Sequence, residues 1–136
     1  MFPLLKHFSI FILWLLIILY LSFSPLKDWP KSNFFDKIYL DKVIHLTMYS
    51  LLAFFLLIGI LKQQNSQALR FTIMLWACSF CALYGIIIEI LQPQLTMYRR
   101  FEWMDMAANV AGAFAGIVVF NWVRRFILRR GIQPKD

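Results

Sequence analysis

Apolar residues along this chain fall into four long runs separated by short polar stretches. The runs cover approximately residues 4–23, 42–61, 71–91 and 104–123. A helix of about 20 residues rises about 30 Å, the thickness of the hydrocarbon core of a bilayer. The runs lack the regular alternation of apolar and polar positions of an amphipathic helix or strand. The pattern therefore predicts a single all-α domain over residues 1–136, an integral membrane bundle of four transmembrane helices with short loops.

Prolines help to place the ends of these predicted helices. The first run has the basic start and apolar core of a signal peptide, but Pro25 directly follows the cleavage-like sequence Ser22-Phe23-Ser24 and would hinder cleavage. We therefore expect a retained transmembrane helix, followed by a polar loop over residues 25–40. At the end of the third run, Pro93 is expected to stop the helix or its last turn.

Composition supports the membrane assignment and narrows the partners. Hydrophobic residues make up 61% of the chain, charged residues 15%, and the mean hydropathy is +0.67. In a soluble protein the net charge of +7 would suggest a nucleic-acid partner. Here the positive residues lie mainly in loops and tails, where they meet lipid headgroups, so we expect membrane lipids and no nucleic acid as partners. The four arginines within residues 124–130 predict that both termini are cytoplasmic.

Two cysteines, Cys78 and Cys81, lie inside the third apolar run with the spacing of redox and zinc motifs. A zinc site of this type would need a second pair, and the sequence has no other cysteine. A redox site would need an exposed thiolate. We interpret both cysteines as small packing residues of a helix, and we predict no metal ligand among them and no cofactor.

The second run begins with polar groups that are unusual for a membrane segment. Asp41, His45 and Tyr49 recur every four residues, so a helix places them on one face. An acid, an imidazole and a phenol are costly next to lipid unless they meet partners. The other runs supply candidate partners, at the end of the third and the start of the fourth: Glu89, Gln92, Asp105 and Asn109.

These groups are expected to meet at one membrane face, because the second and fourth helices begin on the side where the third helix ends. That face lies away from the arginine-rich tail, which makes it extracytoplasmic. Ionisable groups at this depth mark a functional site by default. A network that only joins the helices by hydrogen bonds is the alternative.

Small residues lie on the same helix faces as these polar groups. Gly85 lies one turn before Glu89 in the third run, and Gly112-x-x-x-Gly116 follows Asn109 in the fourth. Small residues four positions apart allow membrane helices to approach closely. We therefore expect the small faces of the third and fourth helices to meet, and a homodimer through the same face is the alternative.

The polar positions also form an ordered set that can be compared with known membrane proteins. In chain order the set reads Ser22-x-x-Pro25, Asp41-Lys42-x-x-His45-x-x-x-Tyr49, Glu89-x-x-Gln92, Arg100, Asp105, Asn109 and Gly112. This set resembles the VanZ-like family of small bacterial membrane proteins over nearly the whole chain. The loop before Arg100 reads Met97-Tyr98-Arg99, where family members often have Pro-Gly. The resemblance implies a multi-pass bundle in the bacterial cytoplasmic membrane, and the family takes its name from a teicoplanin-resistance protein.

Three functions remain open. The polar groups could bind or modify a cell-envelope amphiphile, such as a lipid-linked precursor or a lipoglycopeptide, with Arg99, Arg100 and Lys42 contacting an anionic headgroup. They could instead form a hydrolase or transferase site for a lipid-linked substrate, with His45 as general acid or base, or with one histidine and three carboxylates around a divalent ion. No H-E-x-x-H or G-x-S-x-G motif specifies the chemistry. The third function is purely structural helix packing.

Overall fold

The computed structural model describes residues 3–24, 34–64, 68–97 and 100–130. Within these ranges the chain forms no strand and four α-helices, which are α1 (Pro3–Phe23), α2 (Phe34–Gln63), α3 (Phe71–Leu95) and α4 (Trp103–Arg129). Each helix contains a stretch that is long and apolar enough to cross a membrane. The predicted all-α membrane bundle is therefore confirmed.

Two helices extend beyond the apolar runs that revealed them. α2 begins at Phe34, so the end of the predicted loop 25–40 is helical, whereas residues 25–33 lie outside the described part of the chain. α4 continues to Arg129, past the predicted end at 123. A helix satisfies its backbone hydrogen bonds internally, so it does not need to end where the hydrocarbon core ends. The apolar runs therefore mark the membrane-spanning parts and not the full helices.

The end of α3 also differs from the prediction. Pro93 lies inside the helix, which continues to Leu95. Proline lacks a backbone donor, but one missing hydrogen bond does not stop a helix when the next residues are held. Here Thr96 holds the last turn, because its backbone N–H and its hydroxyl both donate to the carbonyl of Gln92, at 2.9 and 2.7 Å. Pro93 thus lies in the last turn of α3, which ends two residues later at Leu95.

α2 and α4 form the most extensive helix–helix contact in the described bundle. A Cβ atom added at Gly112 would collide with the carbonyl oxygen of Leu46, and one added at Gly116 would collide with that of Ser50. The two glycines therefore lie directly against the backbone of α2, and the prediction that this stripe faces the third helix was wrong. Because α2 of the same chain covers the stripe, it is not available for the alternative homodimer.

The remaining helices close the bundle around a core that includes both cysteines. Cys78 and Cys81 are free thiols buried on α3, in one cluster with apolar residues of the other helices such as Ile18 and Leu52. Gly85, one turn further along α3, lies against the side chains of both α2 and α4. The third glycine thus brings α3 against the α2–α4 pair near the end where the polar side chains lie.

We expect replacement of Gly112 by alanine to destabilise the bundle by about 1–3 kcal/mol, because the added methyl group would force the α2 and α4 backbones apart. Ala111→Val is the matched control, since Ala111 is exposed on the neighbouring face of the same helix. The loss of folded protein on heating in detergent, followed by size-exclusion chromatography, measures the difference. Equal melting of the Gly112→Ala variant and the wild type would contradict the close approach.

Candidate functional site

One end of the bundle gathers charged and polar side chains from three helices. α2 and α4 begin their membrane-spanning parts at this end, where the membrane-spanning part of α3 finishes. The group, named here the polar cluster, consists of Asp41, Lys42, His45, Glu89, Glu102, Asp105 and Asn109. Three of its members, Glu89, Asp105 and Asn109, are buried. Buried polar groups in a bilayer require partners, and the cluster provides them across helices.

The ammonium of Lys42 joins three carboxylates. Its Nζ atom lies 2.9 Å from Oε2 of Glu102, 3.4 Å from Oδ2 of Asp41 and in contact with Oδ1 of Asp105. The side chain of Asp105 is only 7% exposed, whereas that of Glu102 is 55% exposed. The pair with Asp105 is therefore an interhelical bond within the bundle, and the pair with Glu102 lies at its rim. Because carboxylates occupy the ammonium, Lys42 is not the open contact for an anionic headgroup that the sequence suggested.

His45 lies between the charged rim and the buried interior. Its Nδ1 atom is 2.9 Å from Oδ1 of Asn109 and 3.7 Å from Oε1 of Glu89. Its Nε2 atom faces the opposite way, 3.8 Å from Oδ1 of Asp41. Because the amide oxygen of Asn109 accepts a hydrogen bond, Nδ1 carries the proton, and the lone pair of a neutral ring is left on Nε2. The imidazole thus presents a basic nitrogen towards the outer acids.

Glu89 is the most deeply buried acid of the cluster. Its side chain is 1% exposed, and it belongs to α3, whereas the other acids of the cluster lie on or just before α2 and α4. An ionised carboxylate in such a place is stable only with charged or hydrogen-bonding neighbours. Nδ1 of His45 lies 3.7 Å from Oε1 of this carboxylate. His45 therefore connects the acid inside the bundle with Asp41 at the rim.

Three other residues that the sequence placed with this group form no hydrogen bond or ion pair with it among the described residues, although Tyr49 lies close enough to Glu89 for an electrostatic interaction. Gln92 donates from Nε2 to the carbonyl of Ser22 at 3.1 Å, which holds the last turn of α1. Tyr49 is buried deeper, against Gly85, and its hydroxyl has no hydrogen-bond partner in the described part of the chain. Arg100 is exposed, and no hydrogen bond or ion pair between described residues joins it to the cluster. Arg99 lies outside the described residues.

Two members of the polar cluster were not predicted in the roles that the structure shows. The ammonium of Lys42 joins three carboxylates, and Glu102 supplies one of them. Lys42 was expected to contact an anionic headgroup, and Glu102 was not among the candidate site residues. The available signal was their depth, because Lys42 opens the α2 span and Glu102 immediately precedes α4. Opposite charges at the same depth on neighbouring helices are candidates for an ion pair, but the pairing depends on which helices are neighbours.

The arrangement has an excess of negative charge. Asp41, Glu102 and Asp105 surround one ammonium group, so these four side chains carry a net charge of −2 when all are ionised. Such a cluster attracts cations and hydrogen-bond donors. His45 adds a nitrogen that can accept a proton or bind a metal ion. Chemically, the site is suited to binding a cation or to moving a proton between rim and interior.

Comparison with known proteins gives one match. The family model described as VanZ/LLP1 matches residues 8–124, a range that contains the whole polar cluster. No curated protein and no solved structure matches the chain.

We expect Lys42→Met to lower the free energy of unfolding by about 3 kcal/mol, because it leaves the buried Asp105 carboxylate without its cation. Glu102→Gln is the control and should cost less than about 1 kcal/mol, since that carboxylate is mostly exposed. Denaturant titration in mixed micelles measures both. The double variant Lys42→Met/Asp105→Asn should recover part of the loss, and no recovery would show that the two side chains do not interact.

Proposed function

The chain belongs to the VanZ/LLP1 family, and we propose that it is a multi-pass membrane protein that binds the headgroup of a cell-envelope amphiphile at the polar cluster. One observation carries the proposal, which is the continuity of the cluster from rim to interior. Asp41 at the rim has a side chain that is 37% exposed, His45 follows beneath it, and Glu89 behind His45 is 1% exposed. A headgroup at the membrane surface can reach such a series of groups while its acyl chains stay in lipid.

Stability alone is a poor explanation for these residues. Hydrogen bonds between membrane helices contribute only about 0.6 kcal/mol on average. A buried ion pair adds little, because removing two charges from water cancels most of their attraction. The backbone contacts at Gly112 and Gly116 already hold α2 and α4 together. The cluster is therefore better explained by what it binds than by what it stabilises.

The two ends of the bundle support an orientation for this site. The arginines within residues 124–130 lie at the end of α4, opposite the polar cluster, and positive residues favour the cytoplasmic side. We therefore place both termini in the cytoplasm of a bacterial cell and the cluster at the outer leaflet. Arg100 is exposed and lies two residues before Glu102 of the cluster, so its guanidinium is a cation available for a headgroup phosphate.

A second candidate function is catalysis on the bound amphiphile. The observation that favours it is the orientation of His45, whose Nδ1 is held by Asn109 at 2.9 Å so that Nε2 points to the rim. A general base needs a nitrogen that is held in this way within reach of the substrate. In a hydrolase or transferase for a lipid-linked substrate, His45 would take a proton from the attacking hydroxyl or water.

We expect the wild-type protein, released gently from membranes, to carry a copurified amphiphile that is visible by native mass spectrometry. The variant His45→Ala/Asp105→Asn should lose this adduct, because it removes the groups that face the headgroup. His7→Ala is the matched control, since this other histidine is exposed near the start of α1, at the opposite end of the bundle. Identical adducts on all three proteins, with equal folding by size-exclusion chromatography, would remove the cluster from headgroup binding.

The family name connects the proposal with glycopeptide resistance. An amphiphile held at the outer leaflet could change the access of a lipid-tailed glycopeptide to the cell surface. We expect expression of this chain in a teicoplanin-susceptible host to raise the minimum inhibitory concentration, and the His45→Ala variant at matched membrane levels to lose the increase. Resistance from the variant equal to that from the wild type would separate the polar cluster from this effect.

A further inference from the structure

The charge of the polar cluster conflicts with direct binding of a phosphate headgroup. Asp41, Glu102 and Asp105 outnumber the ammonium of Lys42, so the cluster repels an anion unless a further cation lies between them. Arg100 lies outside this group and leaves the carboxylates unneutralised. Among the groups of the described residues, a cation shared by the acids and a phosphate oxygen would remove this conflict.

We propose that Asp41, His45 and Asp105 form an open site for a divalent metal ion. One ligand atom from each of the three side chains lies within 4.8 Å of the others, and Oδ1 of Asp41 is 3.8 Å from Nε2 of His45. Ligand atoms at about 2.1 Å from a shared metal lie about 3–4 Å apart. The three side chains therefore need to close by about 1 Å, which small rotations of the carboxylates provide.

The imidazole has the environment of a metal ligand. Metal-binding histidines almost always donate a hydrogen bond from the ring nitrogen that does not bind the metal, which fixes the tautomer. His45 does so through Nδ1, at 2.9 Å from Oδ1 of the fully buried Asn109. Nε2 is the nitrogen that faces Asp41. A site for an organic ammonium group would need only the carboxylates, so the held histidine favours a metal ion.

Lys42 is compatible with this site although it contacts two of the ligand residues. It meets Asp41 through Oδ2 and Asp105 through Oδ1. Oδ1 of Asp41 faces His45, and each carboxylate has a second oxygen for a metal ion. The ammonium also contacts a carboxylate outside the ligand set, at 2.9 Å from Oε2 of Glu102. Lys42 thus contacts one oxygen of each carboxylate and reduces the repulsion between them.

The ligand set indicates the class of ion and its use. One imidazole and two carboxylates suit ions such as Mn²⁺ and Zn²⁺, which accept mixed nitrogen and oxygen ligands. Three protein ligands leave at least one position open. A phosphate oxygen of the amphiphile can take that position, and this part of the inference rests on the proposed function. Glu89, an acid that the sequence included among the candidate metal ligands, lies on the other side of the imidazole, near Nδ1.

Metal binding can be tested without any lipid. Protein in detergent is treated with EDTA, exchanged into metal-free buffer and titrated with Mn²⁺, and free Mn²⁺ is followed by electron paramagnetic resonance; Zn²⁺ is tested by equilibrium dialysis. The wild type and the His7→Ala control should bind one or both ions stoichiometrically, whereas His45→Ala and Asp41→Asn should not. Asn109→Leu should weaken binding about 10–100-fold, because it removes the hydrogen bond that orients the imidazole.

Each outcome bears on one of the two proposals. If the wild type binds neither ion, or if the folded His45→Ala and Asp41→Asn variants bind as well as the wild type, the metal site is overturned. Asp41 is partly exposed, so its variant keeps the test valid if His45→Ala does not fold. Native mass spectra with and without EDTA then separate the proposals. Bound metal without lipid supports the metal site and removes headgroup binding, whereas a lipid retained in EDTA by protein that binds no metal removes the metal site alone.

Discussion

The direct contact between the backbones of α2 and α4 determines the geometry of this protein. Gly112 lies on the carbonyl of Leu46, and Gly116 lies on that of Ser50. The two contacts are four residues apart on both helices, and the residue numbers increase in the same direction. The two helices therefore run parallel in a fixed register. Towards the membrane surface, Lys42 lies one turn before Leu46 on α2 and contacts Asp105, which lies two turns before Gly112 on α4. The glycines therefore position the site as well as the fold, because larger residues would separate the helices that supply its charges.

The same register explains why the polar cluster has two layers. At the rim, carboxylates on or just before both helices share the ammonium of Lys42. One turn deeper, Asn109 on α4 accepts the hydrogen bond of His45 on α2, and α3 adds Glu89 from the third side. The outer layer carries an excess of negative charge, and the inner layer orients the imidazole that faces it. A cation or a headgroup at the membrane surface meets the outer layer first, and His45 has contacts in both layers.

Much of the fold could be predicted because the bilayer imposes strong constraints on sequence. A helix that crosses it needs about 20 apolar residues, so four runs indicate four helices. The exact ends were less predictable, as Phe34 and Leu95 show. Neither helical turns beyond an apolar run nor a proline followed by the hydrogen bonds of Thr96 leaves a hydropathy signal. The depth of His45, Glu89 and Asn109 was also available from the sequence, since depth follows from position within a run.

What the sequence alone determined was the number of membrane helices and which polar residues share a depth at one end of them. Periodicity and hydropathy act along a single helix, so they contain this information. What only the tertiary structure decided was which helices are neighbours. In the structure, Gly112 and Gly116 pack on α2 and not on α3. The ammonium of Lys42 contacts three carboxylates and is not open to a headgroup. Gln92 donates a hydrogen bond to the end of α1. These pairings depend on how each helix is rotated about its axis, and packing of all four helices together sets that rotation.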